Sequence, residues 1–512
     1  MPATSRFVLF DVDASTGTST DSSSTAPPTG SENGRGKPGH AQSDAIPTDI
    51  LTIQQGVNDQ LQVEIDGQGF ETITLTSGTD LDARMIAREI SFKFKQLVNT
   101  EFEFAQVEYI NNKYRIYSSS LGDNSSADSA AGSNDVALNL RLANPSLTGG
   151  SDTGNSGTYT GTLTASGVFT GQFDDIYTLV ISDTQLVGES TPGGGNVYAG
   201  TVVTAGDWNE SSAETYTVTV NGATNPTMNG GAGNVPTVTW TSSPSNDNDA
   251  SGLDILYSDY FYEIGTQGLR LKFSDAPFGT SDTFTVVCSG ATGGVKAVGA
   301  AAYHWSSLKE GKSSSTTTTQ TVGTRVGTRG VEAAFSSGSN LTAGDEFTII
   351  CSGPQPTTLG VTTLNYGAVT VSTYSPVKAV WFELVSGATI LSNTKFGLQS
   401  HGTAQHHNQG GSDTFFGFGT AGKGNSAGTN PEIQTEWRTS VTASDISSDT
   451  PPDYLSATED NLSEVATADN SEAIGVGSGQ MVSDFVWLAV KLGANETGAN
   501  PSITYRMFFD FS

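Results

Sequence analysis

Alternating hydrophobic and polar residues dominate this chain, and the alternation predicts short β-strands. Residues 61–75 alternate in this way around a turn of sequence Asp-Gly-Gln-Gly at residues 66–69, which is typical of a β-hairpin. Residues 81–97 differ, because their apolar side chains recur at helical spacing after Thr79 or Asp80 as the N-cap residue. The pattern therefore predicts one helix directly after the hairpin.

Two further alternating segments follow the predicted helix. They cover residues 102–109 and 114–117, and Asn111 and Asn112 form the turn between them. Together with the preceding hairpin and helix, they predict a β-β-α-β-β module over residues 49–128. The expected structure of this α+β module is a small sheet covered by one helix.

This module resembles the hook IN motif of flagellin and hook-associated proteins. The resemblance lies in residues 63–67 and 72–75, in the helix that begins near Asp80, and in the polar segment of residues 117–126. Similar modules occur in structural proteins of tailed phages. The resemblance therefore implies an accessory domain of a filamentous or virion assembly, without chemistry of its own. Residues 94–99 depart from the motif, which usually closes its helix with an Ile-Asn pair.

The region from residue 150 to residue 365 repeats itself in two ways. A Tyr-Thr-Gly-Thr sequence at residues 159–162 returns 39 positions later as Tyr-Ala-Gly-Thr at residues 198–201. A longer pattern at residues 268–290 returns 62 or 63 positions later at residues 330–353. Such short antiparallel units predict tandem small β-sandwiches. The two short copies are too small to fold alone, so we expect them to complete one sandwich together.

The two cysteines occupy equivalent positions of the longer repeat. Cys288 and Cys351 each lie at the end of a predicted strand. Equivalent positions of successive modules are usually far apart, so the repeat predicts two buried thiols rather than a disulfide.

The beginning of the chain is predicted to be an extended assembly arm over residues 1–48. Its apolar strand contains Phe7, Val8, Leu9 and Phe10, and a stretch rich in Ser, Thr, Pro and Gly follows. This strand could be donated to a neighbouring subunit by strand addition. The alternative is a disordered leader, since the polar stretch has too little apolar surface to fold alone.

The remaining segments complete the predicted domain organisation. A linker is expected at residues 129–149, a β repeat module at 150–265 and paired β repeats at 266–365. Three apolar segments after residue 376 predict a C-terminal β-sandwich over residues 366–512, with a jelly roll as one option. The fold class is therefore mainly β.

Composition and charge exclude several classes of function. Among 512 residues, 53 are acidic and 23 basic, which gives a net charge of −30, and 60 are glycine. Binding to nucleic acid or to an anionic membrane needs clustered Lys and Arg, so neither partner is expected. No apolar run approaches the roughly 18 residues of a membrane-spanning helix, and the first residues do not form a secretory signal. The chain is expected to be made in the host cytoplasm.

A histidine cluster is the first candidate for chemistry. His401, His406 and His407 lie within seven residues and could hold Zn²⁺ or Fe²⁺. Their spacing fits neither a helix nor a strand, so an exposed polar loop is the preferred interpretation. No cofactor is expected.

Carboxylate pairs are the second candidate. Glu432 and Glu436 beside Trp437 would suit a glycosidase, but Arg438 is a simple salt-bridge partner. Asp247 and Asp249 match only part of a Ca²⁺ loop, and turn carboxylates are the simpler interpretation.

A Gly-x-Ser-x-Gly sequence at residues 424–428 lacks the strand and helix that a nucleophile elbow needs. No enzymatic activity is therefore predicted from these candidates.

These observations favour a non-enzymatic structural subunit of a tailed-phage virion, in the tail, neck, baseplate or capsid surface. Its expected partners are copies of itself and other virion proteins. The alternative is a glycan-binding adhesin or depolymerase module of a tail fibre or spike, which would expose Trp381 and Trp437 to a host-surface glycan. A flagellar hook-associated protein is disfavoured, because such proteins carry long terminal helices.

Overall fold

The computed structural model divides the chain into two compact units, residues 1–22 with 354–512 and residues 23–353. The residues that it describes are 4–11, 33–46, 50–151, 159, 161–167, 169, 173–208, 210, 212–222, 226, 228, 235–258, 260–336, 340–353, 356–365, 378–386, 390–401, 433–438, 463–464, 477–478, 486–492 and 503–511.

Antiparallel strands dominate the described residues, which confirms the mainly β prediction. Up to residue 151 the strands are β1 (Thr4–Asp11), β2 (Asn33–Arg35), β3 (His40–Gln42), β4 (Ile50–Ile53), β5 (Gln60–Ile65), β6 (Glu71–Thr74), β7 (Gly78–Asp82), β8 (Gln106–Ile110), β9 (Lys113–Tyr117), β10 (Ala127–Ala131) and β11 (Ser146–Thr148). Helix α1 (Ala83–Phe94) and a 3-10 helix (Thr100–Phe102) lie between β7 and β8.

The later strands follow without another α-helix in the described residues. Up to residue 353 they are β12 (Leu163–Gly167), β13 (Asp175–Ile181), β14 (Thr191–Pro192), β15 (Val202–Gly206), β16 (Glu214–Asn221), β17 (Thr237–Ser243), β18 (Asp249–Asp254), β19 (Phe261–Ile264), β20 (Leu269–Phe273), β21 (Thr283–Cys288), β22 (Ala302–Ser307), β23 (Thr317–Thr318), β24 (Thr324–Val326), β25 (Val331–Phe335) and β26 (Glu346–Cys351). The last are β27 (Pro356–Leu359), β28 (Lys378–Ser386), β29 (Ile390–His401), β30 (Ile433–Arg438), β31 (Ser463–Glu464), β32 (Gly477–Ser478), β33 (Val486–Leu492) and β34 (Ile503–Phe511).

The N-terminal module, residues 36–151, contains the predicted hairpins and helix, but the two hairpins lie in separate sheets, β10-β5-β6 and β11-β3-β9-β8, and not in the single sheet that was predicted. β5 pairs with β6, and β8 pairs with β9 around Asn111 and Asn112, whose φ angles of +48° and +62° suit a tight hairpin turn. Helix α1 begins later than predicted, because Asp80 and Asp82 are still part of β7, which pairs with β4. Asp82 is the N-cap, and its carboxylate accepts a hydrogen bond from the backbone N–H of Arg84 at 2.8 Å.

The predicted linker at residues 129–149 belongs to this module. β10 pairs with β5 and β11 pairs with β3, while Val136, Leu140 and Leu142 are buried. The small residues of β10 gave no apolar alternation to reveal this strand.

The described parts of the predicted arm are paired within their own chain. β1 lies in the smaller unit, whereas β2 pairs with β26 and β3 pairs with β9 in the larger one. Residues 33–35 and 40–42 are therefore sheet strands of the larger unit and not part of a free extended arm.

Two sandwiches follow, and one is inserted into the other. The outer sandwich has the sheets β12-β25-β24 and β2-β26-β13-β22-β23, and the inner sandwich has β15-β20-β19 and β14-β21-β16-β17-β18. Each has its own buried hydrophobic core. The whole inner sandwich lies between β13 and β22 in the sequence.

This nesting corrects the predicted pairing of the repeats. The two short copies do not complete one sandwich, because β12 pairs with β25 and β15 pairs with β20. Each short copy thus pairs with one long copy, and the insertion explains why the short and long repeats have different offsets. Cys288 and Cys351 are free and buried in separate cores, which confirms the predicted thiols.

The smaller unit contains two antiparallel sheet assemblies. One has the strand order β27-β1-β28-β33-β30, and in the other β29 pairs with β31, β32 and β34. Val8, Val380, Phe382 and Leu384 are buried there. The predicted strands near residues 377–384, 485–492 and 503–511 are present. Among the described residues of both units, no helix has the length and apolar character needed to cross a membrane.

Candidate functional site

The structure describes the predicted site residues only in part. His401 is the last residue of β29, while His406 and His407 lie outside the described residues. Trp381 lies in β28 and Trp437 in β30, and their side chains are also outside the description. Within the described ranges, no group of three or more His, Cys, Asp or Glu could hold a metal ion. The metal and glycan assignments of these residues stay predictions.

A polar cleft lies instead between the N-terminal module and the inner sandwich. Its volume is about 620 Å³, which is within the usual range for small-molecule sites. One wall comes from β3 and the β8–β9 hairpin, and the other from the loops around Asp207, Asp247 and Gln267. A smaller cavity of about 120 Å³ shares Lys37, His40 and other residues with it.

Buried ion pairs lie at the boundary of the two subdomains, and one of them, between Arg115 and Glu263, lines this cleft. The guanidinium of Arg270 lies 2.9 Å from the carboxylate of Glu108, and Arg115 forms two bonds of 2.7 and 2.8 Å with Glu263. Arg270 also contacts Glu263 at 3.2 Å. The N-terminal module provides Glu108 and Arg115, and the inner sandwich provides the other two residues. These contacts therefore join the two subdomains.

The local environment holds these acids in the charged form. Burial alone would raise the pKa of Glu263, but Arg115 and Arg270 outweigh it and lower that pKa to about 2. Burial likewise opposes ionisation of Glu108, but Arg270 and Lys309 lower the pKa of its carboxyl below the usual range. Both carboxylates are charged at neutral pH.

Lys37 makes a second bridge, which reaches both sandwiches. Its ammonium lies 3.3 Å from Asp207 in the inner sandwich and 3.4 Å from Glu346 in the outer sandwich. Asp207 is the largest influence that raises the pKa of Lys37. Nearby, burial and then Arg115 lower the pKa of His40 to about 4, so its imidazole is neutral at pH 7.

The charges at this junction balance. Eight side chains meet there: Lys37, Arg115, Arg270 and Lys309 against Glu108, Asp207, Glu263 and Glu346. Because four positive groups face four negative groups, this set of ion pairs carries no net charge. Such an arrangement fixes the orientation of the three subdomains, since removing one partner would leave a buried charge unpaired.

The acidic loop of the inner sandwich has a structural role. Asp247 accepts hydrogen bonds from the Tyr216 hydroxyl and the Thr266 N–H, both at 2.8 Å. Asp249 accepts from the backbone and the hydroxyl of Ser251. The geometry agrees with turn carboxylates rather than with part of a Ca²⁺ loop.

Sequence reasoning missed the cleft because its residues come from distant segments. The available signal was a charged residue between two apolar residues of a strand: Glu108 lies between Val107 and Tyr109 in β8, and Arg270 lies between Leu269 and Leu271 in β20. Such residues indicate buried pairs, but they do not identify the partner.

Comparisons with known proteins add no relative. No family model, no curated protein and no solved structure matches the chain.

Proposed function

We propose that this chain is a non-enzymatic structural subunit of a tailed-phage virion, which acts through contacts with copies of itself and with other virion proteins. The resemblance of the N-terminal module to the hook IN motif points to such an assembly. The balanced ion pairs at the junction support a structural role, because they join three subdomains and leave no reactive group among themselves.

Strand β1 is the observation that carries the proposed mode of assembly. It lies between β27 and β28, with eight residue pairs in register along β28. Val8 is fully buried, and the Nε of Arg6 donates to the carboxylate of Glu383 at 2.7 Å. β1 thus completes a sheet of residues that follow it by more than 340 positions. A strand held in this way is suited to exchange between copies, because each copy offers the same acceptor.

Strand exchange can be tested with two variants of the full chain. Leu9 and Val380 face each other in register, so a tagged Leu9→Cys chain is mixed with an untagged Val380→Cys chain under oxidising conditions. If β1 crosses between copies, a disulfide forms between tagged and untagged chains and is seen by non-reducing electrophoresis. The native cysteines are buried and contribute little background.

The matched control uses a pair inside the inner sandwich. Thr219 and Thr239 also face each other in register, but both strands belong to one folded core. Mixed Thr219→Cys and Thr239→Cys chains should give no disulfide between chains. Equal, negligible crosslinking in both mixtures, at concentrations where the chain is oligomeric, would contradict assembly through β1.

A further inference from the structure

The polar cleft between the N-terminal module and the inner sandwich has groups that the ion pairs do not use. We infer that this cleft binds a short, uncharged oligosaccharide. This site is separate from Trp381 and Trp437 and goes beyond the structural function proposed above.

Anionic ligands are disfavoured by the charges that line the cleft. Lys37 and Arg115 are already paired with Asp207 and Glu263. The ligand would therefore meet the carboxylates of Asp247 and Glu210 with only Lys113 left unpaired among the lining cations. A phosphate or sulfate group would be repelled rather than held.

Metal ions and apolar ligands fit no better. The described residues contain no cluster of metal-ligating side chains, as noted above. Among the residues that line the cleft, Ile110 and Trp240 are the only large hydrophobic ones. An apolar ligand would lose its hydrophobic driving force against so polar a wall.

The side-chain amides match a ligand rich in hydroxyl groups. The amide oxygen of Gln42 accepts from Arg115, and that of Asn248 accepts from the Ser242 N–H at 2.7 Å. These bonds orient both amides and leave their NH₂ groups as donors. Gln267 adds a third amide, at the tip of the turn between β19 and β20. Since an amide and a hydroxyl each donate and accept, adjacent sugar hydroxyls can be paired without burying a charge.

Trp240 touches the cleft only with its edge. It is 8% exposed and belongs to the core of the inner sandwich, and its indole N–H is buried without a hydrogen-bond partner among the described residues. The ligand would therefore be recognised through hydrogen bonds to the amides and not through packing on an aromatic ring.

The test applies the epitope-tagged full chain to an array of uncharged oligosaccharides and measures the best ligand by calorimetry. Gln267→Ala and Lys113→Ala should each weaken binding roughly tenfold, the effect of losing one or two hydrogen bonds. The matched control is Gln68→Ala, which changes an exposed glutamine in another hairpin turn and should leave affinity unchanged. Inorganic phosphate at the same concentration should not compete.

The outcomes separate the alternatives. No binding to any uncharged oligosaccharide would overturn the inference, as would binding that Gln267→Ala and Lys113→Ala leave unchanged. Displacement of the sugar by phosphate would show that the cleft selects anions and would also overturn it. Because binding is measured without assembly, a failure here is independent of strand exchange by β1.

Discussion

The inner and outer sandwiches share the same hydrogen-bonded residues in their repeats, but the repeats contact different neighbouring residues. In each, a tyrosine hydroxyl donates to a carboxylate that also accepts from a threonine N–H. The inner sandwich uses Tyr216, Asp247 and Thr266, and the outer sandwich uses Tyr177, Glu310 and Thr328 in the same arrangement.

The two copies differ where they meet their neighbours. Arg270 of β20 corresponds to Glu332 of β25 in the repeat, and only the arginine forms buried ion pairs with Glu108 and Glu263. Likewise, Gln267 lines the cleft, whereas the corresponding Arg329 is buried and paired with Asp175 at 3.0 Å. The repeated strand thus contacts the N-terminal module in the inner sandwich. In the outer sandwich, the corresponding residues contact Ser166 and Asp175 of the same sandwich.

The largest expected effect comes from removing the arginine of the junction. Arg270→Ala should lower the free energy of local unfolding by about 3–5 kcal/mol, because it leaves Glu108 buried without its main partner. Glu332→Ala at the corresponding position should cost only about 0.5 kcal/mol. Hydrogen exchange of β8, β20 and β25 by mass spectrometry measures both effects.

A double variant tests whether the unpaired charge of Glu108 causes this loss of stability. Replacing Glu108 with Gln together with Arg270→Met removes both charges, so exchange in β8 should return toward that of the unmodified chain. Similar protection of β8 in Arg270→Ala and Glu332→Ala would show that the ion pair does not join the subdomains.

The second effect is a pH dependence of the outer sandwich that comes from a residue with no counterpart in the inner sandwich. His304 is 2% exposed, and burial, followed by Lys312, lowers its pKa to about 4. The corresponding residue of the inner sandwich is Thr239. As pH falls from 7 to 5, the unfolded chain takes up a proton that folded His304 does not. The histidine therefore lowers the free energy of unfolding by about 2 kcal/mol.

His304→Gln isolates this contribution. Asp175 acts in the opposite direction, since burial raises its pKa to about 6 and the folded state takes up its proton first. The variant should lose the acid destabilisation due to His304 and keep the opposing acid stabilisation due to Asp175. The measurement is exchange in β22 at pH 7 and pH 5, corrected for intrinsic rates, with β17 as the control. A loss of stability at pH 5 as large as in the unmodified chain would contradict this assignment.

Local elements were predictable from the sequence, because their signals are local. The turns at Gly67 and at Asn111 and Asn112 need positive φ angles, and these residues adopt them readily. The start of α1 was misplaced, because β7 pairs with β4 as far as Asp82, and Asp80 has a φ of +54°, which does not fit a right-handed helix. Tertiary pairing decided that boundary.

The nested pairing and the cleft could not be predicted in the same way. Leu163 pairs with Phe335, and the 171 residues between them include a complete second sandwich. Similarity between repeats shows that two segments have the same structure, but it does not show which of them pair. The cleft combines three distant segments around Lys37, Arg115 and Glu263. No motif or spacing in the sequence indicates that these segments lie close together in the fold.

The smallest effect compares one tyrosine hydroxyl in the two copies. Tyr198 contacts the carbonyl oxygens of Thr201 and Ser274 at 3.0 and 2.8 Å, whereas Tyr159 contacts the corresponding oxygens at 3.3 Å. Tyr198→Phe should therefore destabilise the inner sandwich by about 1 kcal/mol, and Tyr159→Phe should destabilise the outer one by less, about 0.5 kcal/mol. Hydrogen exchange in β20 and β25 reports each loss separately. A larger loss in Tyr159→Phe would mean that the surroundings of the two copies, rather than these bond lengths, determine what the shared hydroxyl contributes.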